Sequence, residues 1–467
     1  MRARRILAVA VICGLAYGAW WLPVAVSVGT GYAARVICSL VLNAGEDPDV
    51  VLRDYVAHEI WPLGTVIDVR VDRDAGTTDA STLGVVRARA IHRDGLGCTL
   101  VADTSESELR AVQVDLPRLP PLPENVPWPD GRRGPVSPAP PAVEAAIDRA
   151  FAEPNPAGEP QRRTAAVLVV HEGRLLAERY APGFGPDTPM LSWSMAKSVI
   201  AALVGIADAE GLLDVDAPAP VPEWSDPDDP RHAITLDDLL RQSSGLEFDE
   251  TYGATNDVSR MLFARGDAAG FAASFPLVHP PGTFFAYSSG ASNIVSRILR
   301  DALGGDLEST LRFARRALFE PAQIRTAILE FDASGTPLGS SFAFMSARDW
   351  ARFGLLHLQN GMWDGRRVLP EGWVEYVTTP TPASGSRYGA HWWINRGHPD
   401  PSKQREWPSL PAEVYTAWGH SGQYVMIDPT ADLVVVRLGL AQRDVSELHG
   451  IEPLVHAVRE ALTGARP

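Results

Sequence analysis

Between Trp193 and Ala207 the chain carries one charged residue, Lys197, in a run that is otherwise apolar or small. A helix apolar on nearly every side has to be buried. This one is too short to cross a ~30 Å hydrocarbon core. The fold must therefore enclose it in protein, together with an amine whose charge is costly to bury unless paired or absent. Only two of the chain's 42 Lys+Arg positions are lysine, Lys197 and Lys403. Arginine keeps its proton in a protein, whereas burial and a helix N-terminus both lower a lysine's pKa. Lys197 is therefore read as a deprotonatable amine. Ser194, three residues earlier, shares its helix face within side-chain reach. That is the arrangement of a serine nucleophile beside its base, and the positive helix end favours an oxyanion there.

A chain of 467 residues suggests one large and one small domain. The net charge of -15 argues against a nucleic-acid partner. Arg2, Arg4 and Arg5 precede an uncharged stretch from Ile6 to Ala34, long enough to span a bilayer. The basic flank stays cytoplasmic, so the remainder faces outward. Residues 1–35 are thus expected to be a single-pass signal anchor in the cell membrane, with the catalytic part extracytoplasmic. The alternative is secretion after cleavage near Ala19, Ala25, Ala33 or Ala34. Cys13 lies within the stretch; Cys38 and Cys98 are the two cysteines beyond it. Outside the cytoplasm thiols oxidise, and these two are read as a bridge from the anchor exit to the small domain, with two buried free thiols as the alternative.

Residues 36–115 form the small domain, with strands expected at Thr65–Val71, Leu83–Ile91 and Cys98–Ala102, the last two flanking the turn Asp94-Gly95. No catalytic constellation is visible in it. Residues 116–141 are dense in proline and read as a semi-rigid linker, not a packed element. The large domain, 142–467, opens on a helix from about Val143 to Phe151. Hairpins follow at 165–180 and, near the other end, at 424–438, and a last helix runs from about Ile451 to Leu462. Hairpins at both ends around a helical, loop-rich middle predict an α+β fold: one antiparallel sheet flanked by helices, plus an α-rich subdomain. There is no internal repeat.

Three patterns occur in order: Ser194-Met-Ala-Lys197; Tyr287-Ser-Ser289 after Pro281-Gly-Thr283; and Trp418-Gly-His420-Ser421-Gly422 entering the last hairpin. With these motifs the chain resembles the serine β-lactamase and penicillin-binding-protein superfamily, in its class-C-like branch of carboxylesterases, D-amino-acid peptidases and 6-aminohexanoate-dimer hydrolases. Ile234–Leu246 and Tyr388–Ile394 are similar to further segments of that family, and the resemblance covers about residues 143–465. The phrase Ala34–Ser39, with Cys98 downstream, resembles the leader of membrane-tethered aminohexanoate-dimer-hydrolase-like members.

The resemblance implies an acyl-enzyme on Ser194, proton transfer by Lys197 and Tyr287, and an oxyanion hole from the backbone N–H groups of Ser194 and Gln423. It implies a substrate wall of Ser289, His420, Ser421 and Gly422, to which Trp193 and Trp392 are candidate additions. It implies a small-molecule amide or ester substrate, and no cofactor. Two departures stand out. Ser289 replaces the Asn, and His420 the Lys, that suit β-lactam recognition, which favours the esterase and dimer-hydrolase members. β-Lactamase or D,D-peptidase activity is the alternative, and an idle ligand-binding protein a third. Tryptophans 193, 392 and 393 are otherwise core or pocket wall. Glu247, Asp249 and Glu250 read as a solvated acidic loop. His279, His391 and His398 lack metal-ligand spacing, so no metal is expected. The oligomeric state is left open.

Overall fold

The N-terminal apolar stretch forms one helix, α1 (Arg2–Leu42), in the computed structural model of the chain. The structure describes residues 2–464 apart from 157, 399, 401–402 and 443–445, and for residues 2–20 and 446 the backbone only. The side chains of Cys13 and Ala19 therefore lie outside the described residues. α1 does not stop at residue 35. From Val28 to Val41 it is buried within the protein. It packs on a four-stranded antiparallel sheet of β1 (Ile67–Asp72), β2 (Thr77–Thr82), β3 (Val86–Arg93) and β4 (Gly97–Leu100), in that order. β2 is not foreseen from sequence. Thr77-Thr-Asp-Ala-Ser-Thr82 has no apolar alternation, and it is held by ladders on both sides.

A disulfide joins Cys38 on α1 to Cys98 on β4. Beside it Glu330, fully enclosed, accepts hydrogen bonds from Ser39 Oγ, Asn43 Nδ2 and the Cys98 amide, each at 2.8 Å, and pairs with Arg35 at 3.5 Å. A buried carboxylate needs such partners. Here they fasten α1 and β4 to the large domain, to which Glu330 belongs.

The proline-rich segment 116–141 is mostly exposed, as a semi-rigid linker would be, but its middle is anchored on the large domain. Trp128 is buried and its Nε1 donates to the Arg348 carbonyl at 3.3 Å. Arg352 donates to the carbonyls of Pro129 at 3.0 Å and Gly131 at 3.1 Å. Prolines lack N–H donors but keep their carbonyls, and arginines of the large domain take these up.

The large domain contributes α2 (Pro141–Phe151), β5 (Thr164–His171), β6 (Arg174–Tyr180), α3 (Ala196–Ala209), α4 (Asp257–Ala264), α5 (Ser289–Ala302), α6 (Ala347–Leu358), β7 (Trp393–Ile394), β8 (Tyr415–Gly419), β9 (Gln423–Asp428), β10 (Leu433–Gly439) and α7 (Ile451–Thr463). Six of its strands make one antiparallel sheet, ordered β7-β8-β9-β10-β5-β6. Strand side chains alternate between faces, and here both faces are covered. Val167, Val169, Tyr424, Met426, Leu433 and Val435 meet α2 and α7. Leu168, Val170, Val425, Ile427, Val434 and Val436 meet the core that holds α3 and α6. Gly354 lets α6 lie on the sheet, since a Cβ there would come within 2.7 Å of Val425 and Val434. α3 is buried from Ala196 to Ala207, as its sequence requires. This is the α+β architecture expected from the two hairpins. The larger core continues unbroken from α1 through α3 to the sheet, so residues 36–115 share one core with the large domain.

Candidate active site

Ser194 lies in a 3-10 turn, Trp193–Met195, that runs straight into α3. Trp193 has φ of 45°, a left-handed conformation that a bulky residue rarely adopts and that clusters at functional sites. Among residues 191–200 only Ser194 is not buried.

Lys197 is 1% exposed. Its Nζ donates to Ser194 Oγ at 3.1 Å, Ser289 Oγ at 3.1 Å and the Ser340 carbonyl at 2.8 Å. It also stands 4.8 Å from the centre of the Tyr287 ring, within cation–π range. Tyr287 is held by Tyr388 at 5.7 Å and Trp393 at 5.4 Å between ring centres. Burial pushes the Lys197 pKa below the ordinary lysine value, and the Glu250 carboxylate opposes that shift.

Glu250 departs from the sequence expectation. It turns inward instead of lying on a solvated loop, its Oε1 accepting from Ser289 Oγ at 2.6 Å and its Oε2 from the Ser289 amide at 2.7 Å. Burial pushes its pKa up, and Lys197 pulls it back down. Ser289 is fully buried between Lys197 and Glu250, so it is not on the substrate wall. Glu250, Ser289, Lys197 and Ser194 form one hydrogen-bonded row from a buried carboxylate to a half-buried hydroxyl. Glu250 is 39 residues from Ser289, and no local pattern announces the pairing.

If the neutral Lys197 amine is the active form, activity falls as pH drops through its pKa. Glu250→Gln keeps an acceptor for Ser289 but removes the charge that raises that pKa. The acid limb of kcat/KM should move to lower pH by about 1 unit. A limb that stays in place in this variant would show that Glu250 does not act on Lys197.

The turn between β8 and β9 closes the site. A Cβ at Gly419 would sit 2.1 Å from the Ser192 carbonyl, so glycine is what lets β8 end against the nucleophile segment. Ser421 and Gly422 take positive φ, 59° and 85°. The buried Arg437 donates to the Gly422 carbonyl and, at 2.9 Å, to that of Arg162. The Gln423 side chain is committed to Gly439 on β10, accepting from its amide at 3.1 Å and donating to its carbonyl. Any part Gln423 plays at the site falls to its backbone N–H.

His420 is partly exposed. It meets Trp193 edge-on at 5.4 Å and stacks with Tyr252 at 5.9 Å. Its Nε2 lies 3.3 Å from Glu59 Oε2. Ser421 Oγ is 3.1 Å from the Tyr55 hydroxyl, which also accepts from Trp193 Nε1 at 3.0 Å. Tyr55 and Glu59 come from the N-terminal region, which looks chemically silent in sequence. Trp193 forms wall behind His420. Trp392 does not reach the site; it is fully buried, 4.6 Å from His357 and 5.4 Å from Tyr415. Its neighbour Trp393, packed against the other hydrophobic core, meets Tyr287. Among the described residues no group of three or more His, Cys, Asp or Glu gathers as a metal site.

A half-exposed serine bonded to a buried lysine, under a helix-flanked antiparallel sheet, is the working arrangement of a serine hydrolase. The chain belongs to the Beta-lactamase family, which it matches over residues 144–450. It is 29% identical over 342 residues to a 6-aminohexanoate-dimer hydrolase of Paenarthrobacter ureafaciens, a match covering 69% of this chain and 84% of that one. Among solved structures, a Bacillus anthracis protein provisionally assigned as a 6-aminohexanoate-dimer hydrolase superposes with a TM-score of 0.57 at 20% identity, covering 72% of this chain and 89% of that one. A family VIII carboxylesterase superposes with a TM-score of 0.52 at 15% identity, covering 69% and 97%. At these identities the structural matches speak for the fold.

Proposed function

We propose that the protein hydrolyses linear amide or ester bonds of small molecules through an acyl-enzyme on Ser194. The observation that carries this reading is the buried Lys197, within 3.1 Å of Ser194 Oγ and against the ring of Tyr287. The neutral Lys197 amine takes the Ser194 proton as Oγ attacks the carbonyl carbon. The Ser194 and Gln423 amides receive the oxyanion. Tyr287 passes a proton to the leaving amine or alkoxide, then helps activate the water that releases the acid.

The name of the Paenarthrobacter relative supports a linear amide over a β-lactam. So does Glu59. A lysine at position 420 would attract a substrate carboxylate, but here a histidine stands there with a carboxylate already 3.3 Å away. Losing one charge-assisted hydrogen bond is worth about 1.5–3 kcal/mol, roughly ten- to a hundredfold in selectivity. On one preparation, kcat/KM for p-nitrophenyl esters and a linear aminohexanoate dimer should exceed that for a chromogenic cephalosporin. A clear preference for the cephalosporin would overturn this choice of substrate.

The same reading has the protein tethered, with its catalytic part outside the cytoplasm. The uncharged run from Ile6 to Ser27, long enough to span a bilayer, precedes the continuously buried part of α1 that begins at Val28, and Arg2, Arg4 and Arg5 lie before it. The Cys38–Cys98 disulfide suits an oxidising compartment. Cleavage near Ala25, Ala33 or Ala34 would cut through buried helix, so of the sites named above only one near Ala19 is compatible with a secreted form. Protease shaving of intact cells should release the domain. Recovery of full-length protein from soluble cytosol would contradict the tether.

A further inference from the structure

A groove of about 760 Å³ opens beside the site, between α1, residues 59–66, the end of β2 and the loop at Tyr252. Its walls are largely apolar, with Val28, Ile60, Leu63 and Phe263 among them. The inner end shares its lining with the catalytic wall. Tyr32 stacks on Trp193 at 6.5 Å, and Glu59 and Tyr252 both meet His420, at 3.3 Å and 5.9 Å. The mouth is ringed by large apolar side chains left in the open: Trp21 36% exposed, Leu22 58%, Trp61 75% and Leu83 71%. Single exposed apolar residues need no explanation, but a cluster round one opening does. This cluster surrounds the point where α1 leaves the protein, and the helix beyond it, from Ile6 to Trp20, has no charged residue. Tryptophan at such a border suits a membrane–water interface, one end apolar and the other wet.

We propose that this groove binds the hydrocarbon chain of an amphipathic ester or amide drawn from the lipid surface on which its mouth rests, and so brings the carbonyl to Ser194. The inference rests on the acyl-enzyme reading above. The volume is that of an ordinary ligand pocket, and each methylene moved from water into it adds to binding. The chemistry is plain hydrolysis. The carbonyl carbon trades its alkoxide or amine for Ser194 Oγ and then for the oxygen of water, and the leaving group departs with a proton.

The test uses the full chain in lipid nanodiscs, so that no detergent fills the groove, with p-nitrophenyl acetate, butyrate and octanoate. The kcat/KM for octanoate should exceed that for acetate by at least ~10-fold. Ala25→Trp, which fills the groove, should reduce the octanoate-to-acetate ratio by at least ~5-fold. Trp61→Ser, on a side chain too exposed to matter for folding, should reduce it in the same direction. Acetate turnover with no rise along the series, or a ratio unchanged in both variants, would overturn the proposal and leave the Ser194 reading intact. Failure to hydrolyse any of the three esters or a linear amide would overturn both.

Discussion

Ser194→Ala is expected to lower kcat by at least ~10⁴-fold, the scale on which removing a serine nucleophile acts when its partners form a unit. The loss should come with almost no change in stability. Ser194 is the one residue of its stretch that is not buried. Its hydroxyl is also only one of three acceptors for Lys197, and Ser289 Oγ and the Ser340 carbonyl would still hold the amine in place. A properly folded variant that has lost turnover is thus the expected result. Activity within tenfold of the wild type, measured on a preparation with an unchanged denaturation midpoint, would remove Ser194 from the mechanism.

Lys197→Arg should cost at least ~10²-fold in kcat, the scale of a lost general base. The substitution keeps positive charge and a long apolar stem, and the guanidinium can still donate to Ser289 and Ser340. What it cannot do is accept a proton from Ser194. The buried lysine is driven toward its neutral form by desolvation, whereas a buried arginine stays charged. A structural ammonium would tolerate this exchange and a base would not. Near-wild-type turnover in the variant would therefore make Lys197 structural and leave Ser194 without its base.

Local pattern announced one half of the site. Ser194 and Lys197 are three residues apart on one helix, and the apolar run around them dictates burial. The two end hairpins follow from alternation and turn residues, which is why the sheet was legible. The rest depends on contacts between distant segments. Glu250 reaches Ser289 across 39 residues, and Glu59 meets His420 across 361, with nothing near either carboxylate to mark it. Ser289 looked like substrate wall because its motif neighbours the site, yet it sits behind Lys197. Trp392 and Trp393 are adjacent in sequence yet pack into different cores; composition could not say which one meets Tyr287. The N-terminal helix carries a more general lesson. A helix that crosses a bilayer and one that threads a protein core have the same hydropathy, so where one role gives way to the other could not be read from Ile6–Ala34. Buried positions of α1 begin at the groove mouth.

The central claim is a covalent acyl group on Ser194. Rapidly quenching the enzyme with an activated ester or a fluorophosphonate, then mapping the modified peptide by mass spectrometry, tests it directly. A single adduct on Ser194, absent from Ser194→Ala, is the predicted result. An adduct on another residue, or sustained turnover of the ester with no adduct at Ser194, would contradict it.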